Sequence, residues 1–214
     1  MPRWRRAPAK DDPRERLLER LRPHVTDARV LDALKAVARD QFVPPELAEE
    51  AWDNVALPIG AGQTISQPLV VARMCELLAL EGGERVLDVG TGSGYHAAVL
   101  AQLTEHVWSI ERHPELSRLA GEALAALGVE NVTLVVGDGA AGYAEAAPYD
   151  AINVAAAMPV VPRALSDQLA DGGRLVGPVN TSDQRLILLR RGAHGLERSE
   201  HERVRFVPLI SAQG

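Results

Sequence analysis

The chain has 214 residues and a single cysteine, Cys75, which fits one domain with a modest extension and excludes an internal disulfide or a cysteine-rich zinc cluster. A formal net charge of −6, with 24% charged and 46% hydrophobic residues, is ordinary for a globular protein. It argues against a general nucleic-acid binder, which needs a basic face to meet phosphates, and no apolar run approaches the ~18 residues of a membrane span.

The opening MPRWRRAPAKDDPRER is basic but carries no apolar stretch, so it does not read as a signal peptide and a cytoplasmic protein is expected. Arginines up to Arg22 are interleaved with Asp11, Asp12, Glu15 and Glu19. That is the pattern of a solvated tail and helix face, although a basic cluster is also able to grip an acidic partner. In DARVLDALKAVAR, Val30, Leu31, Leu34, Val37 and Ala38 recur at helical spacing. Pro44 and Pro45 end that segment, and ELAEEAW predicts another short helix. LPIGAGQTISQP is rich in Gly, Pro and polar residues and predicts a loop. PLVVARMCELLAL predicts a helix with Pro68 in its first turn, where a missing N–H costs nothing. Cys75 within it reads as a small buried hydrophobe.

From Glu84 onward strands and helices alternate. ERVLDVG, HVWSIE, NVTLVVGDG, YDAINVAAA and GRLVGPV read as strands, while YHAAVLAQL, HPELSRLAGEALAALG and VPRALSDQL read as helices. This order predicts a doubly wound α/β fold with a mostly parallel sheet covered on both faces. QRLILLRR, GLERSEHERV and RFVPLIS read as strands without helical crossovers, which predicts an antiparallel C-terminal edge. The expected division is an N-terminal helical segment with a loop over residues 1–68 and a ligand-binding domain over 69–214, in one compact unit.

In such sheets ligands bind beyond the carboxyl ends of the strands, where strand order reverses. Asp88-Val-Gly90-Thr-Gly92-Ser-Gly94 follows a predicted strand and precedes a helix. A dinucleotide fingerprint of the G-x-G-x-x-G type needs a third glycine where Tyr95 stands. D-x-G-x-G-x-G resembles instead the first motif of S-adenosylmethionine-dependent methyltransferases, though a glycine run alone is equally a tight turn. Glu111 closes the second strand, 23 residues after Asp88 (111 − 88), near the spacing of a carboxylate that accepts ribose hydroxyls. Asp138, within Gly137-Asp138-Gly139 after the third strand, is placed to accept adenine amino protons. Three acids on one rim point to an adenosine ligand. The glycine loop has no Lys or Arg to neutralise a pyrophosphate.

Leu57-Pro-Ile-Gly-Ala-Gly-Gln-Thr-Ile-Ser-Gln-Pro68 resembles the signature loop of the protein-L-isoaspartate O-methyltransferase family. The likeness continues through VLDVGTGSGY, GDGAAGYAEAAPYDAI, VPRALSDQLADGGRL and RFVPL, over roughly residues 13 to 209. It implies a Rossmann-like class I methyltransferase fold and S-adenosyl-L-methionine as cofactor, held by Thr64, Asp88, Gly90, Gly92, Gly94, Glu111, Asp138 and Gly139. It also implies methylation of the α-carboxyl of L-isoaspartyl residues in damaged proteins and peptides, with Ser66 beside the acceptor carboxylate. Ile65, Gln67 and Val207 are the implied substrate-binding residues, the last within a segment whose backbone pairs with an extended peptide. From the residues alone Thr64-x-x-Gln67 also fits a capping box, which would leave these hydroxyls merely starting a helix. A related O-methyltransferase that converts an Asp of one dedicated peptide to an aspartimide is the alternative.

His96, Ala155, Asp88 and the turn Asn180-Thr-Ser-Asp depart from the commonest bacterial form (Gln, Thr, Glu and a glycine-containing turn), which bears on affinity rather than reaction type. His96, His106 and His113 have no ligand spacing and read as surface or structural residues, with no metal site. Trp52 and Trp108 read as core or near-core aromatics. A monomer without nucleic-acid or membrane partners is expected.

Overall fold

A computed structural model describes residues 12–180 and 183–211. Asp12 caps α1 (Pro13–Leu21) by accepting the Arg14 N–H at 2.9 Å, and Asp27 caps α2 (Ala28–Ala36) through Arg29 in the same way. Each cap satisfies a donor that the first helical turn leaves free. Leu17, Leu18 and Leu21 of α1 and Val30, Leu31 and Leu34 of α2 are buried. The other face of α1 is solvated at Arg16, Glu19 and Arg20, as the interleaved charges imply; the basic residues before Asp11 lie outside the described residues. Helix α2 stops at Ala36, and Val37 continues as extended but buried chain. ELAEEAW forms two short 3-10 turns, Pro45–Leu47 and Glu50–Trp52, in place of the expected helix. Extended backbone at Asp53 ends the second turn after three residues.

The segment expected to be an irregular loop is a small hairpin, β1 (Leu57–Gly60) against β2 (Gln63–Ile65). Leu57 and Ile59 are buried while Pro58 and Gly60 are exposed, the period of a half-buried strand. The turn needs positive φ at Gly60, Ala61 and Gly62 (92°, 50° and 69°), which the flanking glycines supply without strain. Helix α3 (Pro68–Leu78) follows.

The main sheet contains β3 (Arg85–Val89), β4 (His106–Glu111), β5 (Val132–Val136), β6 (Tyr149–Val154), β7 (Leu169–Asn180), β8 (Gln184–Gly192) and β9 (Gly195–Arg203). Its order is β5-β4-β3-β6-β7-β8-β9. The five strands from β5 to β7 run parallel, and β8 and β9 add antiparallel. Helices α4 (Tyr95–Ala101), α5 (Pro114–Ala126) and α6 (Arg163–Asp167) lie between strands. The chain winds outward from β3 to β5 and then returns to β6 on the other side of β3. The switch point therefore falls between β3 and β6. Both faces are covered, and alternate residues divide between two cores. Val86, Val107, Ala151 and Val176 pack with α1–α5; Leu87, Val89, Ile152 and Leu175 pack with Leu165 of α6.

Two expectations are corrected at the C-terminal edge. Strand β7 starts at Leu169, earlier than GRLVGPV suggests. RFVPLIS is no strand: the Gln184 side chain takes the Phe206 N–H and C=O, and a bridge of Pro208 to Ala157 joins the segment to the main chain beyond β6. Pro208 has no N–H to extend a ladder. Thr181 and Ser182 of the departing turn lie outside the described residues. Among those residues no helix is long and apolar enough to cross a membrane.

Candidate active site

A narrow cleft opens at the switch point, lined by Gly90, Gly92, Glu111, Gly139, Thr64 and Val207 among others. Gly90 and Gly92 have positive φ (94° and 54°) and present bare backbone to it. A Cβ on Gly139 would lie 2.5 Å from Val89 Cγ1, so only glycine lets the chain turn there. Val89, Ile110 and Leu209 supply apolar wall.

The carboxylate of Glu111 is held at the rim by two backbone donors, Gly92 N–H to Oε2 and His113 N–H to Oε1, both at 2.9 Å. Each carboxylate oxygen has a second lone pair, so the group keeps acceptor capacity. Asp138 accepts the Ala140 N–H at 2.9 Å and the Ser211 hydroxyl at 3.1 Å. It caps the 3-10 turn Gly139–Ala141 and thereby sets Gly139 in the cleft wall.

Asp88 is placed differently from the other two acids. It is fully buried under the glycine loop, where Ser109 Oγ and Asn153 Nδ2 each donate to it at 2.7 Å. Strand register puts the three side by side, Asp88 opposite Ser109 on β4 and Asn153 on β6. Thr91 of the loop joins through the Ser109 hydroxyl at 2.7 Å. Burial pushes the Asp88 carboxyl up to about 6, opposed by the Ser109 and Asn153 hydrogen bonds. His96, expected as a surface or structural residue, is buried, its Nδ1 3.2 Å from Asn153 Nδ2 and its Nε2 3.7 Å from Cys75 Sγ. Burial depresses His96 to about 3, so the ring is neutral, and it raises the Cys75 thiol far above its ordinary range. Cys75 is the inert hydrophobe expected of it.

Ser66 lies between β2 and α3 and lines two spaces at once. One is a small cavity shared with Gly90, Thr91, Gly92 and Tyr95; the other is an open groove of about 600 Å³ walled by Asn54, Gln67, Val70, Arg205 and Phe206. Thr64, Ala155 and Val207 line both the groove and the cleft, so the two spaces meet there. Ile65 is buried beneath, 3% exposed. The capping-box alternative is not realised, because the N-cap of α3 is Gln67 and no side chain of the box caps it. Asn54 does that work from outside, its Oδ1 accepting the Leu69 N–H at 3.0 Å. Gln67 donates Nε2 to the Asn54 carbonyl at 3.0 Å, so its amide is already engaged.

A family profile described as protein-L-isoaspartate (D-aspartate) O-methyltransferase (PCMT) matches residues 12–214. The chain belongs to this family. A protein-L-isoaspartate O-methyltransferase from Methylorubrum populi is 52% identical over 208 residues, 95% of this chain and 98% of the relative. A solved protein-L-isoaspartate O-methyltransferase superposes with a TM-score of 0.84 at 30% identity, over 94% of this chain and 67% of its own. A β-aspartate methyltransferase (PCMT) from Plasmodium falciparum, solved with S-adenosyl-L-homocysteine, gives 0.82 at 25% identity, over 94% of this chain and 99% of its own.

The cleft fits an adenosine-bearing cofactor on its own geometry: bare glycine backbone, one anchored carboxylate and apolar wall on the same rim. Of the acids expected at this site, Glu111 and the Asp138 turn border the cleft, whereas Asp88 supports the loop from below. The site residues that sequence reasoning missed are Asn54, Ser109, Asn153 and Arg205. Ser109 and Asn153 stand at the strand positions level with Asp88, a signal present in the chain once the strands are aligned.

Proposed function

We propose that the chain transfers a methyl group from S-adenosylmethionine to the α-carboxylate of L-isoaspartyl residues in damaged proteins and peptides. The methyl ester then closes to a succinimide with loss of methanol, and hydrolysis of the succinimide returns part of the damage to aspartate. The observation that carries this reading is the junction beside Ser66, where the cleft and the groove share Thr64, Ala155 and Val207 while Ser66 lines the groove and the small cavity next to them. A cofactor in the first space and an extended peptide in the second would bring their reacting ends together at that serine.

When bound, S-adenosylmethionine supplies an electrophilic methyl on a sulfonium. Glu111 would hold the ribose hydroxyls, the Asp138 turn would meet the adenine, and Gly90 and Gly92 would let the ligand approach the main chain. A peptide α-carboxyl has a pKa of ~3.5, so it arrives ionised and needs no general base. The protein's part is alignment, which can contribute up to ~7–11 kcal/mol. Ser66 would donate one hydrogen bond that fixes the carboxylate in line. Arg205 supports a strand-addition mode for the peptide. Gln184 binds Val204 and Phe206, while the N–H and C=O of Arg205 have no partner among the described residues. We also read the protein as a cytoplasmic monomer without nucleic-acid partners, in keeping with its net charge of −6.

The test offers methyl-labelled S-adenosylmethionine with matched peptides containing isoaspartate or aspartate and measures base-labile label. Label on the isoaspartyl peptide alone is expected. Label on an aspartyl peptide, or on neither, would overturn the proposal in favour of a dedicated substrate.

A further inference from the structure

We infer that Arg205 selects substrates with an acidic side chain within two residues of the isoaspartyl site, an inference that rests on reading the groove as the peptide site. The groove beside Ser66 has Arg203 and Arg205 as its charged lining residues, in a chain whose net charge is −6. Arg203 is already paired, its guanidinium 2.9 Å from the Asp183 carboxylate. Arg205 is exposed and makes no ion pair or hydrogen bond among the described residues. Its N–H and C=O are equally free, between Val204 and Phe206, which Gln184 holds. An added strand would therefore run directly along Arg205, and at ~3.3 Å per residue its side chain reaches about two positions either way.

The chemistry decides which anion this cation serves. An isoaspartyl residue has one free carboxylate, and that carboxylate reacts. Methylation cancels its charge, so a guanidinium paired with it would bind the ground state more tightly than the transition state and slow the transfer. A cation that helps must meet an anion that does not react. The neighbouring side chains of the peptide are the groups that can supply one.

Isoaspartyl hexapeptides with Glu, Gln or Lys at each of the two positions on either side would be compared at low and high salt. At low salt KM is expected to be about two- to fivefold lower for Glu than for Lys at one or more positions, the size of an exposed ion pair. High salt should erase the difference, and Arg205→Glu should invert it while S-adenosylhomocysteine affinity stays unchanged. Equal KM values across the series, or an Arg205→Glu variant that slows every peptide alike, would overturn the role of Arg205 while leaving methyl transfer intact. Failure to methylate any isoaspartyl peptide would instead sink the reading of the groove, and this inference with it.

Discussion

Asn54 Oδ1 accepts the Leu69 N–H at 3.0 Å, and the Asn54 carbonyl accepts Gln67 Nε2 at the same distance. One residue thus caps α3 and clasps the segment that carries Ser66. Removing a cap costs about 1 kcal/mol, or roughly 2–4 °C in Tm for a chain of this size. Asn54→Ala should show that loss together with a lowered kcat, with S-adenosylhomocysteine affinity by calorimetry unchanged. Asn54→Asp keeps the acceptor and should restore both stability and kcat. A deficit in Asn54→Asp equal to that in Asn54→Ala would mean that the Asn54 side-chain cap has no such role.

Ser66 has a clear test because its hydroxyl does not cap the helix. Hydrogen bonds to charged groups contribute about 1.5–3 kcal/mol. Ser66→Ala should therefore lower turnover of an isoaspartyl peptide by about ten- to a hundredfold. Cofactor affinity and Tm should hold. Turnover equal to the parent's would leave Ser66 as wall rather than as a holder of the carboxylate.

The alternation of strands and helices was legible from Glu84 onward because buried parallel strands are short apolar runs and the crossover helices are strongly periodic. The hairpin Leu57–Ile65 was not, since two short strands around Gly-Ala-Gly look like a loop until Leu57 and Ile59 are seen to share a buried face. The glycine loop and Glu111 were readable as a site from spacing along one chain. The network under Asp88 was not, because Ser109 and Asn153 reach it only through register between strands. Asn54 escaped for the same reason: its partner is 15 residues away, and no local pattern announces a cap supplied from another element.

The Asp88 carboxyl, raised to about 6 by burial, makes stability depend on pH with a definite sign. Its folded pKa lies above the unfolded value of ~3.9. The contribution is therefore fully present below about pH 4 and is lost as pH rises through 6. Two units correspond to roughly 3 kcal/mol. Asp88→Asn, which stays neutral, should gain stability relative to the parent as pH goes from 4 to 7. Other carboxylates will add their own slopes, so the quantity to follow is the parent-minus-variant difference in urea unfolding. Parallel profiles for the two proteins would show that Asp88 keeps one charge state across this range.

Glu111 and the turn capped by Asp138 border the same cleft but are anchored differently, and their variants should separate. Glu111 is fixed by the N–H groups of Gly92 and His113, so Glu111→Ala removes both the proposed ribose acceptor and the brace on the glycine loop. S-adenosylhomocysteine affinity should fall by about ten- to a hundredfold, the cost of one or two hydrogen bonds to a charged group. Asp138→Ala removes the cap on the Gly139–Ala141 turn, so a smaller drop of about three- to tenfold is expected. Asp138→Asn retains an acceptor for the Ala140 N–H and separates the two parts of that loss: if the turn alone matters it should bind like the parent, and if the carboxylate itself meets the adenine amino group it should bind more weakly. Calorimetry on the three variants decides between them, and unaltered affinity in Asp138→Ala would remove Asp138 from the adenine end of the site.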